Sequence, residues 1–247
     1  MSAHEPFGNR VGAIDRRAFL AIGGATVTAA LLGCDSSGPP RLESALALAQ
    51  RGNERVERWL FRHRSEDRIP AGAHLSGAAF PQCYVSDTVP VWDESARGVW
   101  KLEVSGAVRR PLQLTLDDLL KLPRTSQRVD HYCVEGWNAR AQWMGVRVSD
   151  LARAAGATAD AQYVDFQSFD SDYHESWDMA SAMHPQTLVA YAMDRRFLSV
   201  GHGAPARVHS PVKLGYKNTK YLTRVVFLPE RNGGYWSDRG YEWYAGT

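Results

Sequence analysis

Apolar residues recur at helical spacing in one early stretch of the chain. Between residues 41 and 62 they fall three or four positions apart, which predicts an amphipathic helix with its apolar stripe facing the core. Gly52 and Asn53 lie inside this stretch, and we expect them to interrupt the helix. Residues 62–77 are charged and rich in turn formers, which predicts a long connection that either belongs to a site or wraps the surface, within an N-terminal segment that extends to residue 88.

Later in the chain, short apolar runs alternate with turn residues. The runs that predict strands are Trp100–Val104, Tyr163–Phe169, Thr187–Met193, Ala206–Ser210 and Leu222–Leu228. Short helices are predicted at Leu116–Leu122, at Ser149–Ala155 and at Met179–Met183. Because strands and helices mix without a regular strand–helix–strand alternation, the pattern predicts an α+β fold.

The first 33 residues are typical of an export signal rather than of a folded element. Paired arginines, Arg16 and Arg17, precede an uncharged run at Ala21–Gly33 that is too short and too weakly apolar to be a comfortable transmembrane helix. The arginine pair followed by Ala-Phe-Leu resembles a twin-arginine signal, and Leu31-Leu32-Gly33-Cys34 resembles a lipoprotein cleavage site. An uncleaved hydrophobic helix is the alternative. Both place the protein outside the cytoplasm, close to a membrane, with residues 34–40 as a tether.

Composition and charge exclude several classes of protein. A hydrophobic content of 44% argues against disorder. Removing residues 1–33 removes three arginines and two acidic residues, so the formal charge falls from +2 to about +1. A charge this small predicts no nucleic-acid partner. The three cysteines are too few and too far apart for a disulfide scaffold or a typical zinc site.

Cys133 is predicted at a position where its thiol could take part in binding or catalysis. Val129 and Tyr132 favour a strand and Gly136 breaks it, so we expect the thiol where a strand opens into a loop. The alternative is that Cys133 is a small buried hydrophobic residue, which is a common fate of a free cysteine.

Basic residues gather in the C-terminal half around tight turns. His202–Arg207 places an imidazole and a guanidinium on either side of a Gly/Pro turn, and Pro211–Lys220 adds three lysines around Gly215. Arginine, lysine and close backbone N–H groups are the groups that bind phosphate. A solvated basic surface is the alternative interpretation.

Several motifs together resemble the sulfite oxidase-fold molybdenum enzymes. The motifs, in the order and spacing of that family, are Cys133–Trp137, Trp143–Val146, Ala182–Leu188, His202–Arg207 and Gly215–Lys217. The resemblance is strongest to the bacterial periplasmic branch that includes the methionine sulfoxide reductase catalytic subunit. It implies a single molybdopterin-binding catalytic domain over residues 89–247, with mixed sheets and short helices.

The resemblance also implies roles for individual residues. Cys133 would be the thiolate ligand of molybdenum in a molybdenum-molybdopterin cofactor. The residues expected to contact the cofactor are Ser168, His202, Arg207, Gly215, Tyr216 and Lys217. Glu135 would be an acidic residue near the metal, acting on protonation or only as a structural hydrogen-bond acceptor. Either Tyr241 or Tyr244 would line the pocket, with a place in the core as the alternative for each; Tyr241 is the candidate taken for the site.

The chain also departs from the family's patterns. Residues 80–87 replace the upstream cofactor motif of the reductase branch, and Arg140 is a loose candidate for the arginines that sulfite oxidases place around their substrate. No dimerisation domain follows residue 247, from which we expect a monomer.

The leading hypothesis is an exported molybdenum oxidoreductase, lipid-anchored at Cys34, that reduces a small or protein-borne S- or N-oxide. Its electrons would come from a membrane haem protein or a cytochrome. Three alternatives stay open: a sulfite oxidase-like dehydrogenase, a non-catalytic binding lipoprotein on the same fold, and a structural Cys83–Cys133 disulfide.

Overall fold

The computed structural model describes residues 40–61, 75–76, 80–170 and 172–247. The predicted export signal, the lipoprotein cleavage site, most of the tether and most of the wrapping segment lie outside these residues. The chain divides into two compact units, Met1–Asn53 and Glu54–Thr247. Both sheets and the candidate site belong to the second unit.

The first helix, α1, runs from Pro40 to Phe61. It is continuous through Gly52, so the predicted interruption is wrong. One glycine lowers helix stability by only about 1 kcal/mol relative to alanine, and the surrounding Ala, Leu, Arg and Glu residues favour the helix. The predicted core-facing stripe is wrong, because its members with described side chains are all exposed: Ala45, Leu46, Ala49, Val56, Trp59 and Leu60.

One sheet contains six strands and supports the cysteine loop. Its path is β1 (Leu75–Ser76), β5 (Asn138–Arg147), β8 (Leu188–Met193) and β10 (Arg207–His209), with β4 (Arg124–Tyr132) paired to β5 and β9 (Arg196–Phe197) paired to β8. The long hairpin of β4 and β5 is antiparallel from the pair Arg124–Val146 to the pair Tyr132–Asn138. This hairpin therefore ends at Cys133.

The other sheet contains five strands. Its order is β3 (Leu112–Thr115), β2 (Lys101–Gly106), β11 (Leu222–Leu228), β6 (Tyr163–Ser168) and β7 (His174–Asp178). The β2–β11 pair is parallel and the other pairs are antiparallel. All five strands predicted from the sequence are found, with ends that differ by at most two residues.

Short helices connect the strands. They are α2 (Glu94–Arg97), α3 (Leu116–Lys121), α4 (Val148–Ala155) and α5 (Met179–Ala182). At the start of α3, the Thr115 hydroxyl accepts from the N–H of Asp118 while the Asp118 carboxylate accepts from the N–H of Thr115. The α4 helix begins at Val148, one residue before the predicted start, and ends at Gly156 in a left-handed conformation.

Two apolar clusters form the core. The larger cluster contains α4 and the inner faces of both sheets, including the fully buried Trp177 and Phe166. The smaller one contains Phe80, Val129 and Trp143. Mixed sheets with a few short helices around this core confirm the predicted α+β fold class. In the part of the chain that the structure describes, no helix is long and apolar enough to cross a membrane.

Candidate active site

The loop after β4 presents the Cys133 thiol. The Cys133 N–H donates to the carbonyl of Trp137 (2.9 Å), and the Gly136 N–H donates to the carbonyl of Cys133 (3.1 Å). Gly136 has a φ of +87°, which glycine adopts without strain. These bonds close a short loop that holds the half-buried thiol at the edge of the sheet.

Glu135 lies beside this thiol. Its Oε2 is 3.8 Å from the Cys133 Sγ and accepts a hydrogen bond from the Trp137 Nε1 at 3.0 Å. Burial raises the pKa of the Cys133 thiol, and the neighbouring carboxylate raises it further. The isolated thiol is therefore protonated, and a bound metal ion would be needed to hold it as a thiolate.

A cavity of about 230 Å³ opens in front of Cys133. The predicted site residues that line it are Cys133, Glu135, Ser168, Arg207, Gly215, Tyr216 and Tyr241. They come from the β4–β5 loop, from the end of β6, from the start of β10, from the 3₁₀ turn at Gly215–Lys217 and from the C-terminal segment. The fold thus brings seven of the nine predicted residues to one cavity.

His202 and Lys217, the other two, do not line the cavity. The His202 Nε2 donates to the carbonyl of Phe80 (3.2 Å), and its Nδ1 is 2.8 Å from the Ser199 hydroxyl. The Lys217 ammonium donates to the Glu175 carboxylate at 2.6 Å, and both side chains are fully buried. Through these contacts, both residues support the cavity wall from behind. Their predicted contacts with a cofactor stay predictions.

Arg207 is a buried cation at the back of the cavity. Its guanidinium donates to the carbonyls of Val208 (3.3 Å), His202 (3.2 Å) and Asn218 (3.1 Å), and it lies over the Trp143 ring. Burial lowers the pKa of Arg207 to about 10. Among the described residues no carboxylate forms an ion pair with it, so its charge is available to an anion in the cavity.

Lys220 is a second cation in the cavity, and sequence reasoning missed its role. Its ammonium donates to the carbonyl of Gly201 at 2.8 Å. Burial, and then the charge of Arg207, lower the pKa of Lys220 to about 7. The signal was present in the sequence, since Lys220 belongs to the basic segment that contains Lys217. Which of the two lysines faces the cavity depends on the 3₁₀ turn that ends between them.

The segment at 80–87 forms the opposite wall. Phe80 is buried and packs against the rings of His131 and Trp143, and the Asp170 carboxylate accepts from the Val85 N–H (3.3 Å) and from the Ser86 hydroxyl. This anchoring places Cys83 on the cavity wall. Cys83 and Cys133 are both free thiols, which does not support the disulfide alternative. Sequence reasoning also missed Asp170, because nothing in its local sequence distinguishes it from a surface acid.

Two more cavity residues carry buried polar atoms. His131 Nδ1 and the Tyr221 hydroxyl have no hydrogen-bond partner within the described ranges. Burial, with Arg207 and Lys220 nearby, lowers the pKa of His131 to about 3, so its ring is neutral. Buried polar atoms of this kind are usually paired, so both atoms favour a polar ligand or ordered water in the cavity.

These features fit a molybdenum-molybdopterin cofactor. A single thiol suits a soft metal whose other sulfur ligands come from the cofactor, and the described residues contain no group of three or more His, Cys, Asp or Glu that could hold a metal alone. Two basic side chains, the buried Arg207 and the half-buried Lys220, suit a phosphate group. Gly215 suits close packing, because a Cβ there would lie 2.7 Å from the His131 Nε2.

Comparisons with known proteins agree with this chemistry. The chain is 39% identical over 237 residues to the "Putative protein-methionine-sulfoxide reductase subunit YedZ1" of Azospira oryzae, covering 94% of this chain and 88% of that protein. It is 31% identical over 153 residues to the protein-methionine-sulfoxide reductase catalytic subunit MsrP of Campylobacter jejuni, covering 56% of this chain and 52% of that protein. The chain thus spans about half the length of that catalytic subunit.

Among solved structures, the sulfane dehydrogenase SoxCD of Paracoccus pantotrophus superposes with a TM-score of 0.51 at 23% identity, over 53% of this chain and 39% of that chain. This similarity supports the fold alone. A model of the oxidoreductase molybdopterin binding domain matches residues 87–236, which include the cysteine loop, Arg207, Lys220 and all of the described strands except β1. The chain therefore belongs to the oxidoreductase molybdopterin binding domain family, and it is a molybdenum enzyme that uses molybdenum-molybdopterin.

Proposed function

We propose that this enzyme reduces the sulfoxide of methionine, free or within a protein, at a molybdenum bound by Cys133. One observation carries the proposal: the Cys133 thiol and two basic side chains without acidic ion-pair partners in the described chain, the buried Arg207 and the half-buried Lys220, line one cavity. The names of the Azospira and Campylobacter relatives supply the substrate class.

When bound, the molybdenum cofactor supplies the transfer of an oxygen atom and of two electrons. The chain's own residues position it. Arg207 and Lys220 would hold its phosphate as charge-assisted donors, and Cys133 would hold the metal at the mouth side of the cavity. The Tyr221 hydroxyl and His131 Nδ1 supply further hydrogen-bonding atoms that the described residues leave unpaired.

Glu135 lies at a position from which its carboxyl group could transfer a proton. Its carboxylate lies 3.8 Å from the Sγ of Cys133, the residue that would hold the metal. Reduction of a sulfoxide to a thioether consumes two protons and releases water, so a carboxyl group beside the metal can deliver a proton to the departing oxygen. The Trp137 N–H fixes the carboxylate in this position.

The cavity's rim suits an apolar substrate better than sulfite. Tyr84, Val134 and Tyr241 are exposed apolar side chains that line the opening. Arg140, the sequence candidate for binding a substrate anion, instead donates to both oxygens of Asp130, each at 2.7 Å. A thioether oxide attached to an aliphatic chain matches the rim, whereas the sulfite dianion would lose the contribution of this arginine.

The proposal includes a location and an electron source. The twin-arginine and lipoprotein motifs favour export and attachment through lipid on Cys34. Electrons would come from a membrane haem protein or a cytochrome. Fractionation of cells producing the full chain tests the location, because a cytoplasmic, lipid-free product would contradict it.

The decisive experiment replaces each cavity thiol in turn. Protein purified from cells with an intact export pathway is analysed for molybdenum and assayed with a reduced viologen and methionine sulfoxide, and separately for sulfite oxidation. We expect the wild type to reduce methionine sulfoxide and the Cys133→Ser variant to lose at least about a hundredfold of that activity. Cys83→Ser is the matched control, because Cys83 lines the same cavity.

Three results would contradict parts of the proposal. Full turnover in Cys133→Ser would exclude this residue as the metal ligand. Sulfite oxidation without sulfoxide reduction would exclude the proposed direction of oxygen transfer. Equal losses in Cys133→Ser and Cys83→Ser would mean that the loss reflects the cavity's integrity rather than ligation by Cys133.

A further inference from the structure

The end of α1 is oriented with its polar side toward the rest of its compact unit. Glu54 is buried and pairs with Arg231, and the Arg58 guanidinium lies over the ring of Tyr244 at 5.7 Å. Burial also raises the pKa of Glu57, the third polar residue on this side. The helix is therefore held to the domain by charged and cation–π contacts.

The opposite side of the same helical segment is apolar and exposed. Val56, Trp59 and Leu60 are spaced at i, i+3 and i+4, which places them on one face of the helix. They are 54%, 63% and 59% exposed. A helix that served only the fold would bury its apolar stripe, whereas here the stripe is exposed and Glu54, on the polar side, is buried.

We propose that the outward face of α1, formed by Val56, Trp59 and Leu60, rests on the surface of the lipid bilayer to which the chain is anchored. This inference rests on the export and lipid attachment proposed above. Its occupant is the interfacial region of the bilayer, where Trp is favoured because its ring is apolar and its N–H needs a polar partner.

The position of the helix in the chain favours a bilayer over another occupant. Only residues 35–39 separate the predicted lipidated Cys34 from the helix start at Pro40. An extended segment of this length spans at most about 20 Å, so the helix cannot lie far from the membrane that holds the lipid. An apolar helix face beside a lipid group provides the second attachment that lipid-anchored proteins commonly need.

Vesicle flotation tests this surface with the lipid removed. The full chain carrying Cys34→Ser is mixed with vesicles of phosphatidylethanolamine and phosphatidylglycerol, and the bound fraction is compared with that of Cys34→Ser/Trp59→Ser. We expect the second substitution to lower the partition coefficient about tenfold, as for the loss of one large apolar side chain from the bilayer interface.

A matched control separates the helix face from general hydrophobicity. Phe197 is also 63% exposed but lies on β9, so Cys34→Ser/Phe197→Ser should bind vesicles as Cys34→Ser does. Equal binding by the Trp59 and Phe197 variants would overturn the proposal. So would sedimentation that shows Cys34→Ser as a dimer and the Trp59 variant as a monomer, because the face would then bind a second copy.

The activity assay keeps this result independent of the proposed function. Trp59 is not among the residues that line the catalytic cavity, so the Trp59 variant should retain wild-type methionine sulfoxide reduction with a viologen donor. Loss of vesicle binding with retained activity supports the membrane surface. If the wild type reduced no sulfoxide at all, the proposed function would fail while the flotation comparison would still decide the role of the helix face.

Discussion

Lys217 and Lys220 are three residues apart, yet their ammonium groups have opposite environments. Lys217 is held in a fully buried pair with Glu175, whose other oxygen accepts from the N–H of Trp236 at 2.9 Å. Lys220 faces the cavity and has a carbonyl, rather than a carboxylate, as its hydrogen-bond acceptor. The first lysine therefore supports the wall of the cavity, and the second is available to the cofactor.

We expect Lys217→Met to lower the free energy of unfolding by about 3–5 kcal/mol, because it leaves the Glu175 carboxylate buried without a counter-ion. Lys220→Met should instead leave the fold intact and lower the molybdenum content of the purified enzyme. Urea denaturation and metal analysis of both variants measure the two effects. If Lys217→Met kept its stability and lost its metal, the assignment of the two lysines would be reversed.

Glu135 can be tested while the geometry of its loop is preserved. In Glu135→Gln the amide oxygen can still accept from the Trp137 Nε1, so metal content should not change, while sulfoxide reduction should fall by about a hundredfold for lack of a proton donor. The measurement is the pH profile of turnover at equal metal content. Unchanged turnover with an unchanged profile would leave Glu135 a purely structural acceptor.

At the scale of elements, the pairing of β5 with β8 depends on Gly145. The register of this pair shifts between Met144 and Gly145, and a Cβ at Gly145 would lie 2.1 Å from the carbonyl oxygen of Val189. Only glycine lets the two backbones approach this closely. The same sheet carries the cysteine loop at the other end of β5.

Gly145→Ala should therefore lower the free energy of unfolding by about 2 kcal/mol or more, measured by urea denaturation. Gly52→Ala is the matched control, since a Cβ at Gly52 would meet nothing within 4 Å and α1 is continuous there. That control should be neutral or stabilising by up to about 1 kcal/mol. Equal destabilisation by both substitutions would mean that the close approach at Gly145 is not the cause.

The sequence predicts some elements well and others poorly for physical reasons. Strands such as Leu222–Leu228 were predicted because alternating burial leaves a direct pattern in the chain. The sequence predicts the apolar stripe of α1. Periodicity indicates that a stripe exists, but it does not indicate which part of the protein, if any, packs on it. Its orientation is set by partners far along the chain, such as Arg231 for Glu54.

The same distinction applies to the site. Cys133 and Arg207 belong to motifs and were predicted, and they line one cavity. Lys220, Asp170 and His131 were missed as site residues because their roles depend on which way a turn or strand end points. Local sequence does not determine that direction. It is determined by the distant segments that bury the turn or the strand end.

At the scale of the whole molecule, lysines whose pKa is lowered by burial make the stability of the cofactor-free protein depend on pH. The pKa of Lys220 is about 7 in the folded protein and 10.5 ordinarily, so between these values the unfolded chain binds a proton that the folded chain lacks. Stability must then rise with pH across this window. A bound phosphate group would hold the ammonium charged, raise its folded pKa and remove most of this rise.

We therefore expect the free energy of unfolding of the cofactor-free enzyme to gain about 2–3 kcal/mol from Lys220 between about pH 7 and pH 9.5. Lys213, whose pKa burial also lowers to about 7, contributes a similar rise in every form, so the informative quantity is a difference between proteins. Urea denaturation at both pH values should give a smaller rise for the cofactor-loaded wild type and for cofactor-free Lys220→Met than for the cofactor-free wild type. Identical rises in all three would mean that Lys220 neither loses its proton in this window nor meets the cofactor. Lys220 would then not belong to the proposed phosphate site, and Arg207 would be the one of these two basic residues that still does.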